Sequence, residues 1–190
     1  MKRLHQVYVI GLLPLLLAAA GIASADFSQL STGLQSIITS PSILLHDYIY
    51  VGGISATLLN AGLVGLICCA LILLLKIDMN GPFIAAVYTV IGFCFFGKNV
   101  VNIWPIFAGV KFFAMTQGVP FKNYALVAFF GTTLAPLSSA IAFSGTLNGI
   151  SAILVAIFFG MVAGFVLPPL ASHMLRFHDG YNIYNIGFTG

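Results

Sequence analysis

Charged side chains are scarce in this sequence, and glutamate is absent. Lys, Arg, Asp and Glu make up 6% of the 190 residues, whereas soluble domains carry about 25%. The seven basic residues are scattered, so the net charge of +3 forms no patch that would bind nucleic acid. Because 60% of the residues are hydrophobic and the mean hydropathy is +1.08, the composition excludes a soluble domain and indicates a polytopic membrane protein.

Motifs of catalysis and metal binding are missing as well. Cys68, Cys69 and Cys94 lie inside apolar runs without a C-x-x-C or Cys/His spacing, so we interpret them as buried apolar residues. The sequence contains no G-x-S-x-G elbow, no H-E-x-x-H motif and no pair of intramembrane aspartates. We therefore expect neither an enzyme nor a metal or cofactor site.

The chain consists largely of apolar runs, at residues 7–22, 51–75, 83–96, 106–114, 124–143 and 150–170. Inside a bilayer every backbone polar group must be paired within the protein, which favours helices. The runs 83–96 and 106–114 fall well short of the roughly 20 residues that a crossing helix needs. The sequence therefore predicts an all-α, polytopic transmembrane helix bundle of about six segments, some of them broken or re-entrant.

Residues 1–39 are predicted to form an N-terminal span and a loop. Lys2 and Arg3 precede the first apolar run, and Ala-Ser-Ala follows it, which fits either a cleaved signal peptide or a first span. We interpret it as a span. Residues 26–40 are polar and rich in Ser, Thr and Gly, which indicates a loop with one short amphipathic turn around residues 34–38. Residues 40–177 then form one membrane unit, and residues 178–190 the start of a second.

A polar stretch, residues 97–105, separates the two short runs. Its sequence is Gly-Lys-Asn-Val-Val-Asn-Ile-Trp-Pro. Trp104-Pro105 predicts a new helix that starts at Pro105, because proline suits a first helical turn and disfavours helix in the residue before it. The alternative is an interfacial loop, with Trp104 in the aromatic belt and Lys98 reaching the headgroups.

The polar stretch also contains the candidate solute pathway, formed by Lys98, Asn99, Asn102 and Trp104 with Asn60 from the preceding apolar run. An intramembrane lysine costs about 2.5–3.5 kcal/mol on insertion scales. A helix starting at Pro105 would direct its unpaired N–H groups and its positive end at the same spot, which favours an anionic or strongly polar solute. Asn60 also fits a plain role in helix packing.

Two further features predict how the helices pack and bend. Gly160-x-x-x-Gly164 is typical of a close helix-packing face. Ala135-Pro136 predicts a kink in the run 124–143, and the neighbouring hydroxyls of Thr132, Ser138 and Ser139 can pair the carbonyls that the kink frees.

Parts of the first membrane unit recur at the end of the chain. The pattern N-x-G-φ-x-G, with φ apolar, occurs at residues 60–65 and 185–190, and a His-Asp-Tyr cluster occurs at 46–50 and 178–181. The paired residues His46 with Asp47 and His178 with Asp179 are candidate proton or gating sites. Such pairs are often merely interfacial. The recurrence predicts an internal duplication, and we expect the chain to be one half of a longer, transporter-like protein.

Three motifs carry a resemblance to a family. They are D-Y-x-x-V-G-G-x-x-A-x-x-x-N-A-G-L at residues 47–63, F-G-K-N-x-x-N-I-x-P-I-x-x-G-V at 96–110 and D-G-Y-N-x-Y-N-x-G-F at 179–188. Over residues 40–190 the chain resembles an uncharacterised family of bacterial multi-spanning membrane proteins, a domain of unknown function. The resemblance implies an inner-membrane location and a missing second half, and it implies no activity or binding residues.

These observations favour a transporter or channel for a small polar or anionic solute, because polar residues lie at broken helices. Its expected partners are the lipid bilayer, the solute, and either further copies of itself or the missing half. The alternative is a non-transporting scaffold or subunit of a larger membrane complex.

We predict that the amino terminus is cytoplasmic. If the chain crosses at each apolar run, Lys76, Lys122 and Arg176 share the side of Lys2 and Arg3, as the positive-inside bias requires, whereas Asp26, Asp47 and Lys98 lie opposite. Labelling of single cysteines at position 122 from each side of the membrane tests this. A periplasmic position 122 would contradict it.

Overall fold

A computed structural model describes residues 2–42 and 46–177, and within these ranges every regular element is a helix. The α-helices are α1 Lys2–Ala23, α2 Phe27–Thr39, α3 Tyr48–Leu74, α4 Gly81–Phe93, α5 Ile103–Thr116, α6 Ala125–Gly131, α7 Ala135–Phe143 and α8 Gly149–Phe177. Helix α3 is kinked at Gly53, whose backbone is not helical (φ 80°, ψ 161°). Short 3-10 helices cover Phe121–Tyr124 and Thr132–Leu134.

Among the described residues, four segments are long and apolar enough to cross a membrane: His5–Ala23, Tyr48–Leu74, Phe121–Phe143 and Gly149–Met174. Helices α4 and α5 are shorter. The predicted all-α membrane bundle with broken helices is confirmed.

Residues 27–39 form helix α2, so the predicted loop is wrong. Leu30, Gly33 and Ile37 are its buried residues, and their i, i+3, i+7 spacing is that of one helix face. That face packs closely on α3, because a Cβ atom on Gly33 would overlap the carbonyl oxygen of Gly52. The many Ser and Thr residues that indicated a loop lie on the opposite, exposed face.

Helices α1 and α3 pack against each other in opposite directions. Gly21, near the end of α1, lies against Ser55, whereas a Cβ atom on Gly11 would lie 3.8 Å from the Cys69 sulfur. Gly62 of α3 meets the backbone of Ala18 so closely that a Cβ there would overlap it. The start of α1 therefore lies at the end of the bundle that holds residues 75–80, which we call the Lys76 end.

Helix α4 stops inside the bundle. It leaves the Lys76 end and runs back along α3, and Cys94, directly after it, lies beside Asn60. From Asn60, α3 continues for 14 residues to Leu74, a rise of about 21 Å, and the 13 residues of α4 rise about 20 Å. The connection between α4 and α5, residues 94–102, is therefore buried at the depth of Asn60.

Helix α5 returns to the Lys76 end. Phe107 contacts Phe121 and Phe129, and Phe113 contacts Tyr124, while Phe129 also contacts Phe83 at the start of α4. Helices α4 and α5 thus form a re-entrant pair rather than two crossings.

The predicted position of Lys98 at the opposite surface is consequently wrong, because the α4–α5 connection ends inside the bundle. Lys76 and Lys122 still share one end, since two half-crossings return the chain to the same end as two full crossings would.

Helix α8 packs closely on α5 through glycines. A Cβ on Gly164 would overlap the carbonyl oxygen of Ile106, and one on Gly109 would overlap that of Met161. A Cβ on Gly160 would collide with the Ser138 hydroxyl and with Pro105. The close packing predicted for Gly160-x-x-x-Gly164 is confirmed, and so is the break before Pro136, where the 3-10 turn Thr132–Leu134 separates α6 from α7.

We predict that Gly109→Ala destabilises the protein by about 1–3 kcal/mol, because the added methyl group forces α5 and α8 apart. The matched control is Gly92→Ala in α4, where a Cβ meets nothing within 4 Å and alanine favours helix. Thermal unfolding of both variants in detergent measures the difference. Equal melting temperatures would show that α5 and α8 do not pack this closely.

Candidate functional site

Asn60 pairs the backbone of the α4–α5 connection. Its Nδ2 donates to the carbonyl oxygens of Cys94 (3.1 Å) and Lys98 (2.9 Å), and its Oδ1 accepts from the N–H of Val100 (3.2 Å). A non-helical backbone at membrane depth requires such partners. The side chain is fully buried, and its role here is to hold the connection.

Asn99 and Asn102 pair the backbone of the turn that precedes α5. The Oδ1 of Asn99 accepts from the N–H groups of Val101 and Asn102, both at 2.9 Å, and the Oδ1 of Asn102 accepts from the N–H of Asn99 at 2.9 Å. The reciprocal bonds are of the kind found in a capping box, but they lie in the turn 99–102, and α5 begins after it at Ile103 without a side-chain cap.

The predicted helix after the polar stretch is present, but it begins at Ile103 rather than at Pro105. Pro105 is the third residue of α5, where its ring is still tolerated in the first turn. The N–H groups of Val101 and Asn102, which precede Ile103, are already paired with Asn99.

Lys98 lies in the interior, with 1% of its surface exposed. Its Nζ donates to Thr132 Oγ1 at 2.7 Å and lies 5.3 Å from the centre of the Phe93 ring. Thr132 Oγ1 donates in turn to the carbonyl oxygen of Phe129 in the last turn of α6, the helix end that favours a cation. The alternative in which Lys98 reaches the headgroups is wrong.

Two helix breaks therefore face each other. The α4–α5 connection meets the α6–α7 break through Lys98 and Thr132, and also through Asn102, whose Nδ2 donates to Ser139 Oγ (2.9 Å) and to the carbonyl oxygen of Gly97 (2.8 Å). The bonds of Lys98 to Thr132 and of Asn102 to Ser139 join side chains that are far apart in sequence.

The end of α2 and the start of α3 meet the same connection. The Nδ2 of Asn99 donates to the Tyr48 hydroxyl (3.2 Å) and lies 3.5 Å from the carbonyl oxygen of Ile37. The Tyr48 hydroxyl is also 2.8 Å from Ser42 Oγ, and its backbone N–H donates to the carbonyl oxygen of Phe95 at 3.0 Å. The end of α2, the start of α3 and the α4–α5 connection thus converge on Asn99.

A cavity of about 520 Å³ lies beside this junction, between α5, α7 and α8. Asn99, Asn102 and Trp104 line it, whereas Asn60 and Lys98 do not. Its other polar groups are Ser138 and Ser139, which the sequence indicated only as hydroxyls near a kink. Among the described residues, Ser138 Oγ is a buried side-chain atom without a hydrogen-bond partner. The structure thus separates the predicted pathway residues into a cavity-lining group and a buried supporting group.

Of the two predicted His-Asp pairs, the structure describes the first, His46 with Asp47. Asp47 is exposed and caps α3, because its Oδ1 accepts from the N–H groups of Ile49 (2.9 Å) and Tyr50 (3.3 Å). The His46 ring packs edge-on to the Tyr48 ring at 6.5 Å. His178 and Asp179 lie outside the described residues. Across residues 2–42 and 46–177, His, Cys, Asp and Glu side chains form no group of three that could hold a metal ion.

We predict that Asn60→Ala destabilises the protein by several kcal/mol, because it leaves two carbonyls and one N–H buried without a partner, at about 1–3 kcal/mol each. Asn148→Ala, at an exposed turn, is the matched control and should behave as wild type. The yield of folded protein and its melting temperature are the measurements. Wild-type values for Asn60→Ala would show that the connection does not depend on this amide.

Comparison with known proteins finds one match. A family model described as "Protein of unknown function (DUF1576)" matches residues 27–190, which confirms the resemblance to a domain of unknown function and extends it to include α2. Neither the curated proteins nor the solved structures show a significant match. The chain belongs to the DUF1576 family of proteins of unknown function.

Proposed function

We propose that this membrane protein moves a small solute across the bilayer, as a transporter or channel, along a pathway that passes the α4–α5 connection. One observation carries the proposal: two discontinuous helices, α4–α5 and α6–α7, have breaks that face each other inside the bundle and are joined by polar side chains. Discontinuous helices with irregular backbone at membrane depth are typical of the solute sites of transporters.

The composition of the junction supports this proposal. Lys98 occupies the interior at a cost of about 2.5–3.5 kcal/mol on insertion scales, although Ser or Gly would connect two helices without that cost. Asn99, Asn102 and Ser139 lie at the wall of a cavity large enough for a small molecule. We assign solute contact to these three residues and Trp104, and support of the junction to Asn60 and Lys98.

We also propose a location and an assembly. Lys76 and Lys122 lie at the end of the bundle where α1 begins, and the positive-inside bias would place that end in the cytoplasm of a bacterium with the protein in the inner membrane. As a partner we propose a further copy or a second half, which would replace part of the lipid around the exposed apolar side chains of α5 and α8. We propose no catalytic role, because the junction's hydroxyl–lysine pair, Thr132 and Lys98, is fully buried and does not line the cavity.

A specific observation favours the alternative of a non-transporting scaffold or subunit. Both N–H donors of the Asn60 amide bond to neighbouring groups of the protein. The Asn99 amide likewise uses both of its N–H donors and its oxygen in bonds within the protein. A polar junction held only by its own hydrogen bonds needs no solute. The two functions differ in whether water reaches the cavity from each side of the membrane.

Thiol accessibility tests the proposal without a known solute. In a variant with Cys68, Cys69 and Cys94 replaced by Ala, Ser139→Cys introduces a nearly isosteric thiol at the cavity. We expect a small, membrane-impermeant methanethiosulfonate to label it from both sides, in right-side-out and in inside-out vesicles, at least about ten times faster than it labels a core thiol.

The controls are Ala86→Cys, which is fully buried, and Leu154→Cys, which is 60% exposed on the apolar surface of α8. Neither position should react, because neither contacts water in the membrane. If Ser139→Cys is as unreactive as Ala86→Cys, the protein is a scaffold. Labelling from one side alone would indicate a pocket without a passage and would reject transport.

A further inference from the structure

The membrane unit, residues 40–177, starts and ends at opposite ends of the bundle. Helix α3 begins at the end opposite the Lys76 end, which we call the far end, and runs to the Lys76 end. The re-entrant pair α4–α5 leaves the Lys76 end and returns to it. Tyr124, just before α6, contacts Phe113 near the end of α5. Ser139 of α7 bonds to Asn102 at the junction, so α6 and α7 lead away from the Lys76 end.

Helix α8 brings the chain back to the Lys76 end. Gly160 lies against Pro105 in the first turn of α5, whereas Phe165 contacts Phe113 farther along α5. The remaining 12 residues of α8, up to Phe177, rise about 18 Å in the same direction. The unit therefore crosses the bundle three times, through α3, through α6 with α7 and through α8. Because this number is odd, Phe177 lies at the end opposite the start of α3.

The pattern N-x-G-φ-x-G at residues 60–65 has a structural role at each of its three fixed positions. Asn60 pairs the backbone of the α4–α5 connection. A Cβ on Gly62 would overlap the backbone of α1, and one on Gly65 would collide with the side chain of Ile91 in α4. The pattern thus belongs to a span that packs closely on its neighbours and holds a re-entrant connection.

The same pattern follows α8 in the sequence. Residues 178–190 lie outside the described residues, but their sequence repeats both features of the first span in the same order, His-Asp with a tyrosine and then N-x-G-φ-x-G. In the first unit Asp47 caps α3 ahead of Asn60. The Asp-to-Asn separation is 13 positions in the first occurrence and 6 in the second. The shared order predicts a second span that holds a re-entrant connection of its own.

We infer that the partner of this membrane unit is a second unit of the same kind, continuous with it in the chain and inserted in the opposite orientation. Because the first unit ends at the Lys76 end, the first span of the second unit runs from there to the far end. Its re-entrant pair then enters from the far end, so the two pairs enter the bilayer from opposite sides. Inverted repeats of transporters bind solute at such a repeat interface. The inference rests on the second half proposed above as a partner.

An identical chain cannot supply the inverted unit, because the basic residues are distributed unevenly. Lys98 is buried at the junction, and the other six basic residues lie between the junction and the Lys76 end: Lys2, Arg3, Lys76, Lys111, Lys122 and Arg176. The positive-inside bias holds every copy of this chain in one orientation. The inverted unit therefore differs in sequence, and we expect its counterpart of the turn 75–80 to lack Lys and Arg.

Reporter fusions to the full-length protein test the orientation. Green fluorescent protein fluoresces only in the cytoplasm, and alkaline phosphatase is active only in the periplasm. Fusions in the turns 75–80 and 144–148 calibrate the two ends of the first unit. The deciding fusion lies in the first turn after the span that contains residues 185–190. We expect its ratio of phosphatase activity to fluorescence to match that of the turn 144–148 and to differ at least about tenfold from that of the turn 75–80.

A pair of variants tests whether the second pattern has the role of the first. In the full-length protein, Asn185→Ala should lower the yield of folded protein and its melting temperature about as much as Asn60→Ala does, because each leaves a re-entrant connection unpaired. Asn182→Ala, three residues earlier and outside the pattern, is the matched control and should behave as wild type.

The inference is overturned if the deciding fusion matches the turn 75–80, if translation stops directly after Gly190, or if Asn185→Ala is as harmless as Asn182→Ala. Thiol accessibility separates this inference from transport. An inverted second unit with an unreactive Ser139→Cys retains the assembly and rejects transport. A reactive Ser139→Cys with a parallel or absent second unit retains the pathway and rejects the inverted partner.

Discussion

Pairing of backbone groups away from water is the constraint on which this structure depends. The α4–α5 connection interrupts helical hydrogen bonding inside the bundle, where an unpaired N–H or C=O group is costly. Asn60 pairs two carbonyls and one N–H of the connection, and Asn99 and Asn102 pair three more N–H groups. Three amide side chains thereby replace the bonds that a continuous helix would have made.

The interrupted helix in turn creates the junction. Because α4 and α5 turn back inside the bundle, Lys98 and Asn102 can bond to Thr132 and Ser139 at the neighbouring break. Asn99 and Asn102 have two roles, since they pair the turn before α5 and also form part of the cavity wall. Support of the backbone and lining of the cavity are therefore combined in the same side chains, whereas Ser138 lines the cavity and packs against Gly160 of α8.

Glycines supply the remaining cohesion. Lipid tails are as apolar as leucine, so helices in a bilayer associate through close packing rather than through burial from water. Gly33 on Gly52, Gly62 on α1 and Gly109 with Gly164 between α5 and α8 bring backbones into direct contact. These contacts hold α2, α1 and α8 around the re-entrant pair and so fix the position of the cavity.

The sequence by itself determined the membrane class, the helical runs, the break before Pro136, the packing glycines and the polar stretch, because each depends on local composition or spacing. It also contained the buried spacing of Leu30, Gly33 and Ile37, which the Ser and Thr content of α2 concealed. Only the tertiary structure decided that α5 turns back, that Asn99 and Asn102 pair the turn before Ile103 and that Lys98 bonds to Thr132 away from the cavity. The signal for this pairing lay in the three-residue spacing of Asn99 and Asn102, but asparagine at both positions is equally typical of a polar solute site. The physical reason is that an amide or ammonium group gains its role from partners such as Thr132 and Ser139, more than 30 residues away along the chain, and local pattern contains no information about which partner it meets.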